Sequence, residues 1–177
     1  MKAQQNLLRD NILLRGLERK DIDLLWQLRS DPQVLTYIKR DPPKERADVE
    51  AFYQKIEEAV DKGISYYWVV TTHSHSPEDE LLGTICLWNI TADGKCGEIG
   101  YELLPVHQGK GIMSAALKMV LSFAFDILKL ELVEAYTHKD NQASQKLLSR
   151  FDFILDPSIK DEYVEDNIVF RKRNPGK

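Results

Sequence analysis

The run Leu103 to Leu117, L-L-P-V-H-Q-G-K-G-I-M-S-A-A-L, constrains this chain more than any other. It reads as the end of a strand, a short glycine-bearing loop and the first turns of a helix. Gly109 and Gly111 take side chains away where the backbone turns, and they reach left-handed dihedrals that other residues resist. From Ile112 onward the apolar residues Ala115, Ala116, Met119, Val120 and Phe123 recur at three- and four-residue spacings, the pattern of an amphipathic helix. A helix start leaves four backbone N–H groups without internal partners and carries a partial positive charge. Strand, glycine turn and open helix N-terminus together make a cradle suited to phosphate. The spacing is neither the G-x-x-x-x-G-K-[ST] of a nucleotide P-loop nor the three-glycine dinucleotide fingerprint.

A chain of 177 residues is long enough to bury a substantial core, and one domain over residues 1–177 is expected, without repeat or linker. Its 43% hydrophobic and 29% charged residues are ordinary for a globular protein in water. No apolar run approaches the ~20 residues of a membrane span. The opening M-K-A-Q-Q-N-L-L-R-D has no signal-peptide core, so a cytoplasmic location with no membrane partner is expected. The formal net charge of −4 argues against nucleic acid, which calls for a basic face. An acidic surface would instead attract a cationic amine or a basic protein tail. Cys86 and Cys96 have no metal or redox spacing and read as strand residues. His73 and His75 lack a third ligand at usable spacing, so no metal is expected.

Taken in order, Asn11 to Leu17 is a first strand, and Asp21 caps a helix with Leu24, Leu25 and Leu28 as its apolar stripe. Asp31-Pro32 ends or bends that helix, and Val34, Tyr37 and Ile38 begin a second short one. After the Asp41-Pro42-Pro43 break, Val49, Phe52, Tyr53, Ile56 and Val60 repeat at helical spacing up to Gly63. Ile64 to Thr72 is rich in aromatic and β-branched residues and reads as a strand. Leu81 to Ile90 and Lys95 to Leu104 pair around Asp93-Gly94, a strong hairpin signal. The helix from Ile112 ends near Leu128, and Leu130 to Thr137 alternates as a strand. Asn141 caps a helix through Leu147 and Leu148, Phe151 to Leu155 begins another strand, and Glu162 to Phe170 is the last. The polar tail from Arg171 to Lys177 is expected to fray.

Gln108-Gly109-Lys110-Gly111-Ile112-Met113 resembles the coenzyme A (CoA) pyrophosphate loop of the GNAT superfamily of N-acetyltransferases, Gln/Arg-x-x-Gly-x-Gly/Ala, at the Gln and the central Gly. Met113 departs from that pattern, and its amide can serve a phosphate only if its side chain turns back into the protein. The Q-G-K-G run is similar to the RimJ/RimL-type branch, which acetylates protein N-termini and related amines. Arg15, Asp21, Leu28, Asp31-Pro32 and Tyr37 also sit where that branch places such residues, and there the early helices wall the acceptor site. A second motif lies 33 residues past Gln108, where GNAT proteins commonly show Asn-x-x-Ala/Ser-x-x-x-Tyr-x-x-x-Gly-Phe. Asn141, Ser144 and Phe153 fit, whereas Leu148 stands at the tyrosine and Asp152 at the glycine. In many relatives that phenol protonates the departing thiolate; in the RimJ/RimL-type branch a serine at the Ser144 position serves instead.

The resemblance implies an α+β fold with a central mixed, mostly antiparallel sheet flanked by helices, and acetyl-CoA as cosubstrate. It places the diphosphate at Gln108, Gly109, Lys110, Gly111, Ile112, Met113 and Ser114, with Asn141 nearby and Lys110 and Lys146 as charge partners. The pantetheine would lie where the strand ending at Leu103 and Leu104 splays from Leu130 to Thr137, bonding their backbone. Acetyl transfer needs a neutral amine, and an α-amine near 7.7–8 supplies one more readily than a lysine near 10.4. Glu98 and Glu102 lie on one strand face, roughly 13 Å apart at ~3.3 Å per residue, too far for a dyad. Glu98, in Glu-Ile-Gly-Tyr, is the first choice as base through water, while Ile99, Tyr101 and Leu103 opposite look like core. No cysteine is placed to carry the acetyl group, so direct attack is expected. The acceptor is a protein N-terminal α-amine, or a small amine such as a polyamine or aminoglycoside; a non-catalytic CoA-binding module stays open. The chain is expected to act as a monomer or homodimer.

Overall fold

A computed structural model describes residues 3–73 and 80–176; His75, in the polar turn, lies outside the described residues. Among the described residues eight strands form one sheet in the order β1-β2-β3-β4-β5-β6-β8-β7. They are β1 (Leu7–Arg9), β2 (Ile12–Gly16), β3 (Tyr66–Thr72), β4 (Gly83–Trp88), β5 (Cys96–Leu103), β6 (Leu132–His138), β7 (Ile154–Leu155) and β8 (Asn167–Arg173). Neighbours run antiparallel except β5 and β6, which are parallel. A parallel pair needs a crossover, here the helix that follows the glycine loop. The helices are α1 (Ile22–Ser30), α2 (Pro32–Leu35), α3 (Arg46–Asp61), α4 (Ile112–Ser122) and α5 (Gln142–Arg150). A wider turn of π type, Phe123–Ile127, finishes α4 before Leu128.

Both faces of the sheet are covered, which is why β3 reads as an unbroken apolar run. Tyr66, Trp68 and Val70 join Leu117, Val120 and Phe123 in the core beneath α4. Val69 faces the other way, into a second cluster with Leu25 and Leu28 of α1 and Val49 of α3. Tyr66 and Trp68 stack at 5.9 Å, and Phe123 meets them edge-on at 5.0 and 5.3 Å. Such aromatic pairs add roughly 0.5–1.5 kcal/mol each beyond their buried area.

Several expectations change in detail. β1 was not legible, and the second short helix stops at Leu35, before Tyr37 and Ile38. Asp31 does cap it, accepting from the Gln33 and Val34 amides at 2.8 and 3.1 Å. Asp21 stands at the N-cap of α1 but makes no side-chain cap bond. Its carboxylate instead takes both Arg15 guanidinium nitrogens at 2.7 Å, with the two residues 2% and 5% exposed. A buried charge holds only when paired in this way. The tail is not frayed from Arg171 onward: Arg171 to Arg173 belong to β8, and Arg171 reaches Glu134 and Asp156 at 3.0 Å each. No described helix is long and apolar enough to cross a membrane.

Candidate active site

The parallel ladder between β5 and β6 pairs only Cys96 with Leu132, Gly97 with Val133 and Glu98 with Glu134. Both strands run on, to Leu103 and His138, without pairing to each other, so the sheet is split beyond Glu98. On its other edge β5 stays bonded to β4, and the Leu104 N–H donates to the Leu82 carbonyl at 2.9 Å. Backbone groups alternate in direction along an antiparallel strand. Those of Tyr101 and Leu103 therefore face the split, and Gln108 confirms the parity by donating its side-chain Nε2 to the Leu103 carbonyl at 3.0 Å.

A cavity of about 1160 Å³ occupies the split and is lined from both faces of the sheet. On one side its walls come from α2, with Gln33 and Val34, from Tyr37 and Ile38, and from the β4 end, with Trp88 and Asn89. On the other side they come from the glycine loop, the start of α4 and one face of α5. Ile159, Asp161 and Val164, from the segment between β7 and β8, complete the rim.

At the loop, Gly109 and Gly111 have φ of +73° and +77°, the left-handed region that favours glycine. A Cβ at either position would meet no protein atom within 4 Å, so the space above them is open. The first backbone bond into α4 runs from the Ala115 N–H to the Gly111 carbonyl. No side chain caps this helix, and the amides from Gly109 to Ser114 have no partner among the described residues. Met113 is 8% exposed and packs into the core beneath, leaving its amide clear. These groups fit a diphosphate: several aimed N–H donors, a helix dipole and no side chain in the way.

Of the residues singled out from the sequence, Glu98, Leu103, Gln108, Gly109, Gly111, Ile112, Met113, Ser114, Asn141, Ser144 and Lys146 all line this one cavity. Two do not. Leu104 packs toward the α1 cluster, with its N–H already used by Leu82. The Lys110 side chain is exposed and does not line the cavity. Asn141 caps α5 by accepting from the Ser144 N–H at 3.1 Å, which leaves its side-chain NH2 as a donor at the wall. Leu148, at the family's tyrosine position, is fully buried in the core and touches nothing in the cavity.

Glu98 sits at the vertex of the split. Burial pushes its carboxyl up to about 7, helped by the negative charges of Asp161 and Glu134. The Asn89 side-chain NH2 donates to it at 3.0 Å and pulls the other way. Asn89 itself holds a φ of +47°, which asparagine tolerates better than most residues. Glu102 has a different role: Arg40 clamps both its oxygens, at 2.8 and 2.6 Å. Sequence reasoning placed Tyr101 in the core, yet its hydroxyl lies 2.8 Å from Ser144 Oγ at the cavity wall. The available signal was chemical, since a tyrosine on an apolar strand face must find a partner for its hydroxyl. Among the described residues no three His, Cys, Asp or Glu side chains come together to hold a metal.

Comparison with known proteins agrees with this geometry. Residues 11–154 match the family model for the acetyltransferase (GNAT) domain. The chain is 29% identical over 157 residues, 89% of its length and 86% of the relative's, to the uncharacterized N-acetyltransferase p20 of Bacillus licheniformis. In fold it resembles the ribosomal-protein-S5-alanine acetyltransferase of Vibrio fischeri, with a TM-score of 0.81 and 22% identity over 97% of this chain and 98% of that one. It also resembles the spermidine N-acetyltransferase of Vibrio cholerae solved with CoA and spermine, with a TM-score of 0.76 and 22% identity over 91% and 93%. With the split sheet, the open loop and this match together, the chain belongs to the GNAT family of acetyltransferases.

Proposed function

We propose that this protein is a single-domain enzyme that transfers acetyl from acetyl-CoA to a primary amine by direct attack, and that its acceptor is a protein N-terminal α-amine. The observation that carries this reading is the row of unpartnered amides from Gly109 to Ser114 at the mouth of a cavity that crosses the split sheet. When bound, acetyl-CoA would supply an activated thioester, with the diphosphate on those amides and Lys146 at the wall as a charge partner. The N–H groups of Tyr101 and Leu103 face the gap, where a fixed donor can polarise a carbonyl.

The residues divide the proton work between the two faces of the sheet. Glu98 is on the face toward α2 and Asn89, positioned to take a proton from the incoming amine, directly or through one water. A base titrating near neutrality is well matched to that task. Ser144 is on the opposite wall, beside the loop, positioned to give a proton to the sulfur. A cytoplasmic setting, where acetyl-CoA is formed and used, goes with this reading.

The relatives include enzymes for ribosomal proteins and for spermidine, and the acceptor side favours the former. Glu102 is clamped by Arg40, Asp161 is held by the Tyr163 and Val164 amides and by Asn167, and Glu162 is exposed at the rim. Among the described residues that leaves Glu98 and Asp161 as the half-buried cavity carboxylates without a cation, and with Asp161 already taken by three neutral donors, Glu98 remains to meet one amine rather than a chain of them. At pH 7.5 an α-amine is also roughly 200-fold richer in neutral form than an amine near 10.4. Thiol release from acetyl-CoA, measured over N-terminal peptides, spermidine and aminoglycosides, tests the assignment. Turnover on peptides supports it. Turnover on polyamines alone would move the acceptor to small amines, and binding without turnover on any amine would overturn catalysis.

A further inference from the structure

The α5 position at which many relatives carry a phenol is Leu148 here, and that side chain is wholly buried. A phenol nevertheless reaches the same wall from the sheet. Tyr101, on the β5 face opposite Glu98 and Glu102, brings its hydroxyl to 2.8 Å from Ser144 Oγ. Neither hydroxyl has another partner among the described residues, and both residues line the cavity next to the glycine loop.

The direction of this bond follows from the two groups. A hydroxyl carries one proton and two lone pairs, so one of the pair donates and the other keeps its own proton free. A phenol is the stronger acid, hence the better donor and the poorer acceptor, whereas an alkyl hydroxyl is the better acceptor. Burial pushes the Tyr101 hydroxyl up to about 12, so it keeps its proton through the working range of pH. Tyr101 therefore donates, Ser144 Oγ accepts, and the serine proton is left to point into the cavity.

We propose that Tyr101 is a positioning residue for proton delivery: its phenol fixes the Ser144 hydroxyl so that the serine O–H is aimed at the departing sulfur. This rests on the acetyl-transfer reading above. In the step, the carbon–sulfur bond breaks, the sulfur takes the electron pair, and the Ser144 proton moves onto it. The negative charge left on the serine oxygen is held by the phenolic O–H until a proton from solvent, matching the one the amine gives to Glu98, restores the hydroxyl. No oxidant, metal or further reactant is needed. It also accounts for the leucine on α5, because the strand supplies a phenol to the wall from the other direction.

Tyr101→Phe removes one oxygen and leaves the ring packing in place. The expected result is a fall in kcat of roughly tenfold, the scale of one well-formed hydrogen bond, with KM for acetyl-CoA and for the amine nearly unchanged. Ser144→Ala should lower kcat at least as much, and adding Tyr101→Phe to it should change little, because the phenol then has no hydroxyl to aim. The thiol of bound CoA gives a second readout, through the ultraviolet absorbance of its thiolate. Its apparent pKa should rise in both single variants, as a donor to the charged sulfur is lost or misdirected.

An unchanged kcat in Tyr101→Phe would overturn the proposal, and so would losses that simply add in the double variant. A raised KM at constant kcat would also overturn it, since that is what a packing role produces. If the native enzyme turned over no amine, the transfer reading would fall. The thiol titration would still decide the pair: equal rises in the two variants support it, and no rise overturns it.

Discussion

Replacing Glu98 by Gln keeps the shape of the side chain and a partner for Asn89, and it removes the one carboxylate at the vertex that titrates near neutrality. Two protonation events should control kcat/KM for a peptide α-amine. The enzyme must have lost the Glu98 proton, with a pKa of about 7, and the substrate must be neutral, with a pKa near 7.7–8. Between pH 8 and pH 6 the first term falls about tenfold and the second about fortyfold, so the native enzyme should lose about 400-fold. Glu98→Gln lacks the first term and should lose only about fortyfold over the same interval. Its plateau above pH 8 should lie roughly a hundredfold or more below the native one, the usual scale of a general base. The assay is initial-rate thiol release at sub-saturating peptide in constant-ionic-strength buffers. Equal pH dependences in the two proteins, whatever their absolute rates, would refute the assignment of Glu98 as base.

Two further predictions concern the frame that holds the site. Asp21→Ala leaves the buried Arg15 guanidinium without its bidentate partner and should cost about 3–5 kcal/mol in urea unfolding. Converting the pair together, Arg15→Met with Asp21→Leu, should cost less than Asp21→Ala alone, and a larger loss would contradict a pairing role. Leu148→Tyr writes the family's tyrosine back into α5, but this position is closed on all sides by the core. It should destabilise the fold by about 1–3 kcal/mol through overpacking and bring no gain in turnover; higher activity at unchanged melting temperature would show that α5 can deliver a phenol after all.

What the sequence made legible was local chemistry. Glycines with positive φ announced the loop, Asp93-Gly94 the hairpin and Asn141 the start of α5, since each acts within a few residues of itself. The three-residue β1 and the continuation of β8 through Arg173 were hidden, because pairing with β2 and β6 defines them rather than their own pattern. The candidate site divides in the same way. The glycine loop could be read directly, but the direction of the Leu104 N–H, which goes to Leu82, could not, because the backbone direction of β5 depends on which neighbour it bonds. Tyr101 and Ser144 are 43 residues apart, and Asn89 meets Glu98 across a hairpin; alternation gave the face of each side chain without naming its partner.

The central claim is that the bare amides of Gly109 to Ser114 hold the diphosphate of CoA, and calorimetric titration of Gly111→Val tests it most directly. A Cβ at this position meets no protein atom, so the added side chain occupies the open space over the loop, where the backbone φ of +77° also resists a branched residue. The variant should bind CoA about tenfold or more weakly, roughly 1.4 kcal/mol, while its affinity for pantetheine, which has no diphosphate, stays as in the native protein. Native affinity of Gly111→Val for CoA would contradict the account.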